Sequence, residues 1–133
     1  MSEKMKLKGK LAVGRGEGRH FLALQQYKDG FLEKLGFEPY EGTLNILVCE
    51  KDVPNLLEIK KNAKISILGF VHEKREYCQI KACKAKVRDS EGALVFPGIN
   101  MHPAEIAEFV CTESMREKYK LADGDGLEVE VLD

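Results

Sequence analysis

Apolar residues alternate with polar or small ones at both ends of this chain: Met5, Leu7, Leu11 and Val13 near the start, Leu127, Val129 and Val131 near the finish. A period of two puts each set on one face, so both segments read as strands with a single buried side. Between them the pattern predicts further strands over 43–49, 63–70, 76–87 and 93–96, the 63–70 and 76–87 segments joined as a hairpin. The spacing is not that of βαβ units. Mostly antiparallel strands of this kind are best satisfied by closing on themselves, because closure leaves no exposed edge. The expected fold is therefore mostly β, a small barrel of six to seven strands with two short helices.

The first helix is expected over Gln25–Leu35, where Tyr27, Phe31, Leu32 and Leu35 recur at three- and four-residue steps and Gly36 offers a stop. Ser114, with Glu117 three residues on, forms a capping box for the second, over 115–120. The segment 106–111 fits a strand or a helix equally, and 50–62 carries no assigned element. Within 76–87 the apolar set moves from Cys78, Ile80 and Ala82 to Cys83, Ala85 and Val87, a one-residue change of phase that predicts a β-bulge. Asp89-Ser90-Glu91-Gly92 and Asp123-Gly124-Asp125-Gly126 read as turns.

A length of 133 residues fits one domain over 1–133, and 44% hydrophobic with 32% charged residues excludes wholesale disorder. The net charge of −1, from 21 basic and 22 acidic residues, supplies no overall field for nucleic acid or an anionic membrane. No apolar run approaches the roughly 20 residues that span a bilayer, so a cytoplasmic protein is expected. Cys49, Cys78, Cys83 and Cys111 contain no CxxC pair, and His20, His72 and His102 form no HxxxH pattern, so neither a zinc site nor a disulfide framework is expected.

Three stretches carry residues suited to chemistry. In Gly14-Arg15-Gly16-Glu17-Gly18-Arg19, alternate glycines let a ligand approach backbone N–H groups, and the two arginines suit phosphate oxygens. It lacks the Walker lysine, and a glycine-rich hairpin loop with solvated arginines reads equally well. In Tyr40-Glu41-Gly42-Thr43-Leu44-Asn45, strand alternation puts Thr43 and Asn45 on one face, as neutral oxygens for Mg²⁺ or simply as a strand's solvent side. The stretch from Asn100 through His102 and Glu105 to Glu108 places polar groups near a chain reversal, as site residues or as solvated surface.

Taken together and in this order, these segments resemble the CTP-dependent riboflavin kinases of archaea. The resemblance rests on the glycine-rich loop running into His20-Phe21-Leu22, on Leu35-Gly36-Phe37-Glu38-Pro39 leading into Tyr40 to Asn45, on the His102 to Glu108 stretch, on Met115-Arg116 and on Asp123-Gly124-Asp125. From 50 to 87 the match is only in outline. The resemblance implies a cradle-loop (RIFT-type) barrel that transfers the γ-phosphoryl of CTP to the riboflavin 5′-hydroxyl, giving FMN and CDP. It assigns the nucleotide to Gly14, Arg15, Gly16, Glu17, Gly18 and Arg19 and to Glu113, Ser114, Met115 and Arg116. It assigns Mg²⁺ to Thr43 and Asn45, and the flavin to Asn100 and Glu108, with Glu108 the candidate to orient or deprotonate the hydroxyl. The chain departs from the family pattern at Asn100 and at Cys111-Thr112. Two rival readings are a barrel-type DNA-binding regulator, against which the interspersed acids count, and a non-catalytic flavin- or nucleotide-binding module.

Overall fold

The computed structural model describes residues 5–13, 22–98 and 105–132. The elements run β1 (Lys6–Ala12), α1 (Gln25–Leu35), β2 (Leu44–Val48), a 3₁₀ turn (Glu50–Asp52), α2 (Val53–Asn62), β3 (Ile65–Ile67), β4 (Phe70–His72), β5 (Arg75–Tyr77), β6 (Ile80–Val87), β7 (Ser90–Pro97), β8 (Ile106–Val110), α3 (Met115–Lys118) and β9 (Gly126–Val131). One sheet has the order β3-β6-β7-β8-β2-β1-β9, and β9 returns to pair with β6, so six antiparallel strands close into a barrel with β3 as an extra strand. The β4–β5 hairpin stands apart as a two-stranded sheet.

Two cores form, one inside the barrel and one outside it. Leu7, Leu11, Ile46, Ala85, Phe109 and Val129 are among the side chains that fill the interior. On the outer face α1 lays Tyr27 and Phe31 over Ile67, Ile80, Ala82, Val95 and Val110. The helix spans the expected residues because those two rings lie one turn apart, and Gly36 ends it in the left-handed conformation, its N–H donating to the Leu32 carbonyl. The Tyr27 hydroxyl donates to the Cys78 carbonyl at 2.6 Å, fixing the helix to the chain just ahead of β6.

This second core removes the expected bulge. β6 pairs with β7 without interruption from Ile80↔Pro97 to Val87↔Ser90. The phase change arises because Ile80 and Ala82 are buried beneath α1, whereas Cys83, Ala85 and Val87 point into the barrel. Along the same edge β6 changes partner, from β3 at Ile80 to Ala82 to β9 at Ala85 to Val87.

Other boundaries shift for local reasons. The expected strand over 63–70 divides into β3 and β4, and the long one over 76–87 into β5 and β6. The β4–β5 reversal is made by Glu73 and Lys74, both at positive φ (50° and 66°), a turn that lacks the usual Asn-Gly signature. The reversal between β6 and β7 falls at Arg88 (φ 53°) and Asp89, ahead of the expected turn, so Ser90 and Gly92 belong to β7. The ambiguous 106–111 segment is the strand β8. The structure adds α2, with Pro54 in its first turn and Leu56 and Ile59 buried three residues apart.

Candidate active site

The site is built on a row that crosses three strands. Ala12, the last residue of β1, pairs with Asn45 of β2, and Asn45 pairs with Glu108 of β8. Leu44, Ile46 and Val48 point into the barrel, as do Ala107 and Phe109. Alternation therefore turns Asn45 and Glu108 to the outer face together. Both are nonetheless buried, with 7% and 6% of their surface exposed. The Thr43 hydroxyl donates to Glu108 Oε1 at 3.4 Å, and Asn45 Nδ2 donates to the Thr43 carbonyl at 3.5 Å. Asn45 Oδ1 is buried and has no hydrogen-bond partner among the described residues.

Thr43 also opens onto a cleft of about 170 Å³, lined by Gly42, Glu113, Ser114, Met115 and Arg116 among others. The structure thus brings together Thr43, Asn45 and Glu108, and sets 113–116 on the far wall of the cleft that Thr43 borders. Ser114 caps α3, its Oγ accepting from the Glu117 N–H at 3.4 Å as the capping pattern expects. Gly14, Arg15, Gly16, Glu17, Gly18 and Arg19, with His20, Asn100 and His102, lie outside the described residues.

Ion pairs brace both walls. Lys28 of α1 bonds Glu41 at 2.9 Å and approaches Glu38 at 3.8 Å, and the Glu41 contact raises the lysine's pKa. The Tyr40 N–H donates to the Cys111 carbonyl at 2.8 Å, so the loop ahead of Thr43 is pinned from two sides. Across the cleft, Lys118 bonds Glu113 at 2.8 Å, which raises its own pKa. The Cys111 thiol donates to the Glu113 carbonyl at 3.1 Å, and burial pushes its pKa up, away from nucleophilic use. The Cys111–Glu113 and Glu113–Lys118 contacts are local, whereas the Tyr40–Cys111 bond joins residues brought together only by the fold.

Farther along the outer face, two residues from Asn45 on β2, Leu47 borders a more open groove of about 760 Å³ that also contains Lys8, Lys10, Val53, Pro54 and Glu105. Val53 and Pro54 come from the helix that was not expected.

The family model for CTP-dependent riboflavin kinases, described as "Domain of unknown function DUF120", matches residues 11–131. The chain belongs to this family. It is 40% identical over 128 residues to a riboflavin kinase of Archaeoglobus fulgidus, covering 96% of this chain and 55% of that protein. It is 39% identical over 132 residues to one of Ignicoccus hospitalis, covering 99% of this chain and 73% of the relative. For one of Methanobrevibacter smithii the identity is 33% over 127 residues, covering 95% of this chain and 99% of the relative. The chain therefore spans little more than half of the Archaeoglobus protein. The family match takes in both the Ala12–Asn45–Glu108 row and the cleft wall at 113–116.

Proposed function

We propose that this chain transfers the γ-phosphoryl group of CTP to the 5′-hydroxyl of riboflavin, giving FMN and CDP. The observation that carries this reading is the buried, partnerless Asn45 Oδ1 beside the Thr43 hydroxyl and the Glu108 carboxylate, at a cleft walled by 113–116 in a chain of this family. A buried acceptor left without a hydrogen bond costs about 1–3 kcal/mol, a cost that suits an oxygen kept for a ligand. Thr43 and Asn45 offer neutral oxygens beside the single Glu108 carboxylate, a donor set that suits Mg²⁺ shared with substrate phosphates. Thr43 and Asn45 would hold that ion, which when bound neutralises charge on the phosphoryl oxygens.

Phosphoryl transfer asks the protein mainly for in-line positioning and for charge opposite the phosphoryl oxygens. Gly14 to Arg19 hold the nucleotide phosphates through backbone N–H groups and the two arginines. Glu113, Ser114 and Met115 contact the nucleotide from the far wall, where Arg116 adds a cation. Glu108 accepts the hydrogen of the ribityl hydroxyl and turns its oxygen toward the phosphorus, while Asn100 contacts the flavin. The groove beside Leu47, with Val53 and Pro54 among its lining, is of a size to take the flat ring.

The direct test is to incubate the protein with riboflavin, Mg²⁺ and each nucleoside triphosphate in turn, and to resolve FMN from riboflavin by chromatography. FMN should form with CTP faster than with ATP by about tenfold or more, the scale on which a polar base-recognition site discriminates. Equal rates with ATP overturn the donor assignment, and no FMN with any donor overturns the activity. Glu108→Gln keeps the shape of the side chain and removes its charge. It should lower kcat by about tenfold or more at an unchanged KM for the nucleotide. Turnover like that of the parent would mean that the proton leaves by way of water or the phosphate.

A further inference from the structure

Arg116 is held in place by residues outside the cleft. Its Nη2 donates to Asp123 Oδ1 at 2.7 Å and to the Ala12 carbonyl at 3.3 Å. Asp123 lies in the turn that leads into β9, and that turn is sewn to the end of β1. The Gly124 N–H donates to the Leu11 carbonyl, and the Leu11 N–H donates to the Asp125 carbonyl, each at 2.8 Å. The Asp125 carboxylate closes the turn by accepting from the Ala122 N–H at 2.8 Å. The Asp123 carboxylate is thus carried by a turn anchored to the strand end whose Ala12 faces Asn45.

A guanidinium offers five N–H donors in a planar fork. Both bonds here leave from Nη2, so Nε and Nη1 keep their donors without a partner among the described residues. The pair is half-exposed, with 42% and 53% of the side-chain surfaces open to solvent, and such pairs contribute little to stability. Its effect lies in orientation. An arginine already held in one rotamer loses less freedom when it binds an anion than one that is loose.

We propose that Asp123 is a positioning residue for the nucleotide: it holds the Arg116 guanidinium against the end of β1, so that the remaining donors meet the polyphosphate in the cleft. This rests on the nucleotide reading given above and adds a residue to it. Asp123→Asn keeps the size and an acceptor oxygen but removes the charge, and Asp123→Glu restores the charge. In Asp123→Asn the KM for CTP and the calorimetric Kd for CDP should each rise about tenfold, the scale of one charge-assisted bond. The KM for riboflavin should stay at the parent value, kcat should fall by less than about threefold, and Tm should hold within about 2 °C. Asp123→Glu should recover most of the CDP affinity. CDP binding by Asp123→Asn equal to that of a binding-competent parent overturns the proposal alone. A matching loss of riboflavin affinity, or a large fall in Tm, also overturns it, by making the role structural. A parent protein that binds no CDP overturns the nucleotide reading and this proposal with it.

Discussion

Replacing Thr43 by valine and Asn45 by leucine together should reduce FMN formation by about a hundredfold or more, the scale on which loss of a charge-stabilising element acts, while leaving the protein at least as stable as before. The two halves of this expectation have one cause. Asn45 Oδ1 is buried without a partner, so an apolar side chain removes an unpaid desolvation and returns little in lost bonding. Among the described residues Thr43 loses its long bond to Glu108. Measuring turnover and thermal unfolding on the same preparation checks both halves. Mg²⁺-dependent turnover near the parent rate would put the metal elsewhere. Lost activity accompanied by a lower Tm would mean that these two side chains serve the fold.

Gly92→Ala should be the most damaging glycine-to-alanine change among the described residues. A Cβ built at Gly92 overlaps the Val110 carbonyl oxygen and meets both Cys111 Cβ and the Phe109 ring at 2.9 Å. A backbone carbonyl within a paired strand has no room to yield, so β7 and β8 must separate where they pair at Ala93↔Val110. Overpacking of this kind costs about 3 kcal/mol or more, which lowers Tm by roughly 10 °C in a chain of this length. Gly126→Ala is the control, since nothing lies within 4 Å of a Cβ there. Equal melting temperatures for the two variants would show that the β7–β8 contact is looser than the structure has it.

What could be read from the sequence follows from which interactions are local. The α1 helix was legible because Tyr27, Phe31 and Gly36 act within a few turns of one another, and Thr43 with Asn45 because side-chain direction on a strand depends only on parity. β6 was misread for the same reason: two buried residues in succession look like a bulge until α1 is known to cover the second face. α2 escaped because only Leu56 and Ile59 are buried along it, a weak period behind a proline. Gly92 resembled a turn glycine because its neighbour Val110 is distant in sequence. At the site, family resemblance suggested Glu108, whereas its burial and its place opposite Asn45 depend on the register between β2 and β8. The Arg116–Asp123 pair is close in sequence, but the Arg116 bond to the Ala12 carbonyl that fixes it against β1 joins distant parts of the chain.

The way β9 closes the barrel has a further meaning for the newly made chain. β1 lies between β2 and β9, pairing with the latter from Lys6↔Glu130 to Lys10↔Gly126, and β6 also waits on β9 for the pairing at Ala85 to Val87. Until Gly126–Val131 leaves the ribosome, two strands keep an open edge, the very feature that invites pairing with a neighbouring chain. Their outward residues include Lys6, Lys8 and Lys10 on β1 and Lys84 and Lys86 on β6. Charges of one sign along both waiting edges repel a second nascent copy at the stage when self-association is the main hazard. Three of these lysines come to face acids once β9 arrives, Lys6 and Lys86 opposite Glu130 and Lys8 opposite Glu128, so part of the repulsion that guards the open barrel turns into attraction as it shuts.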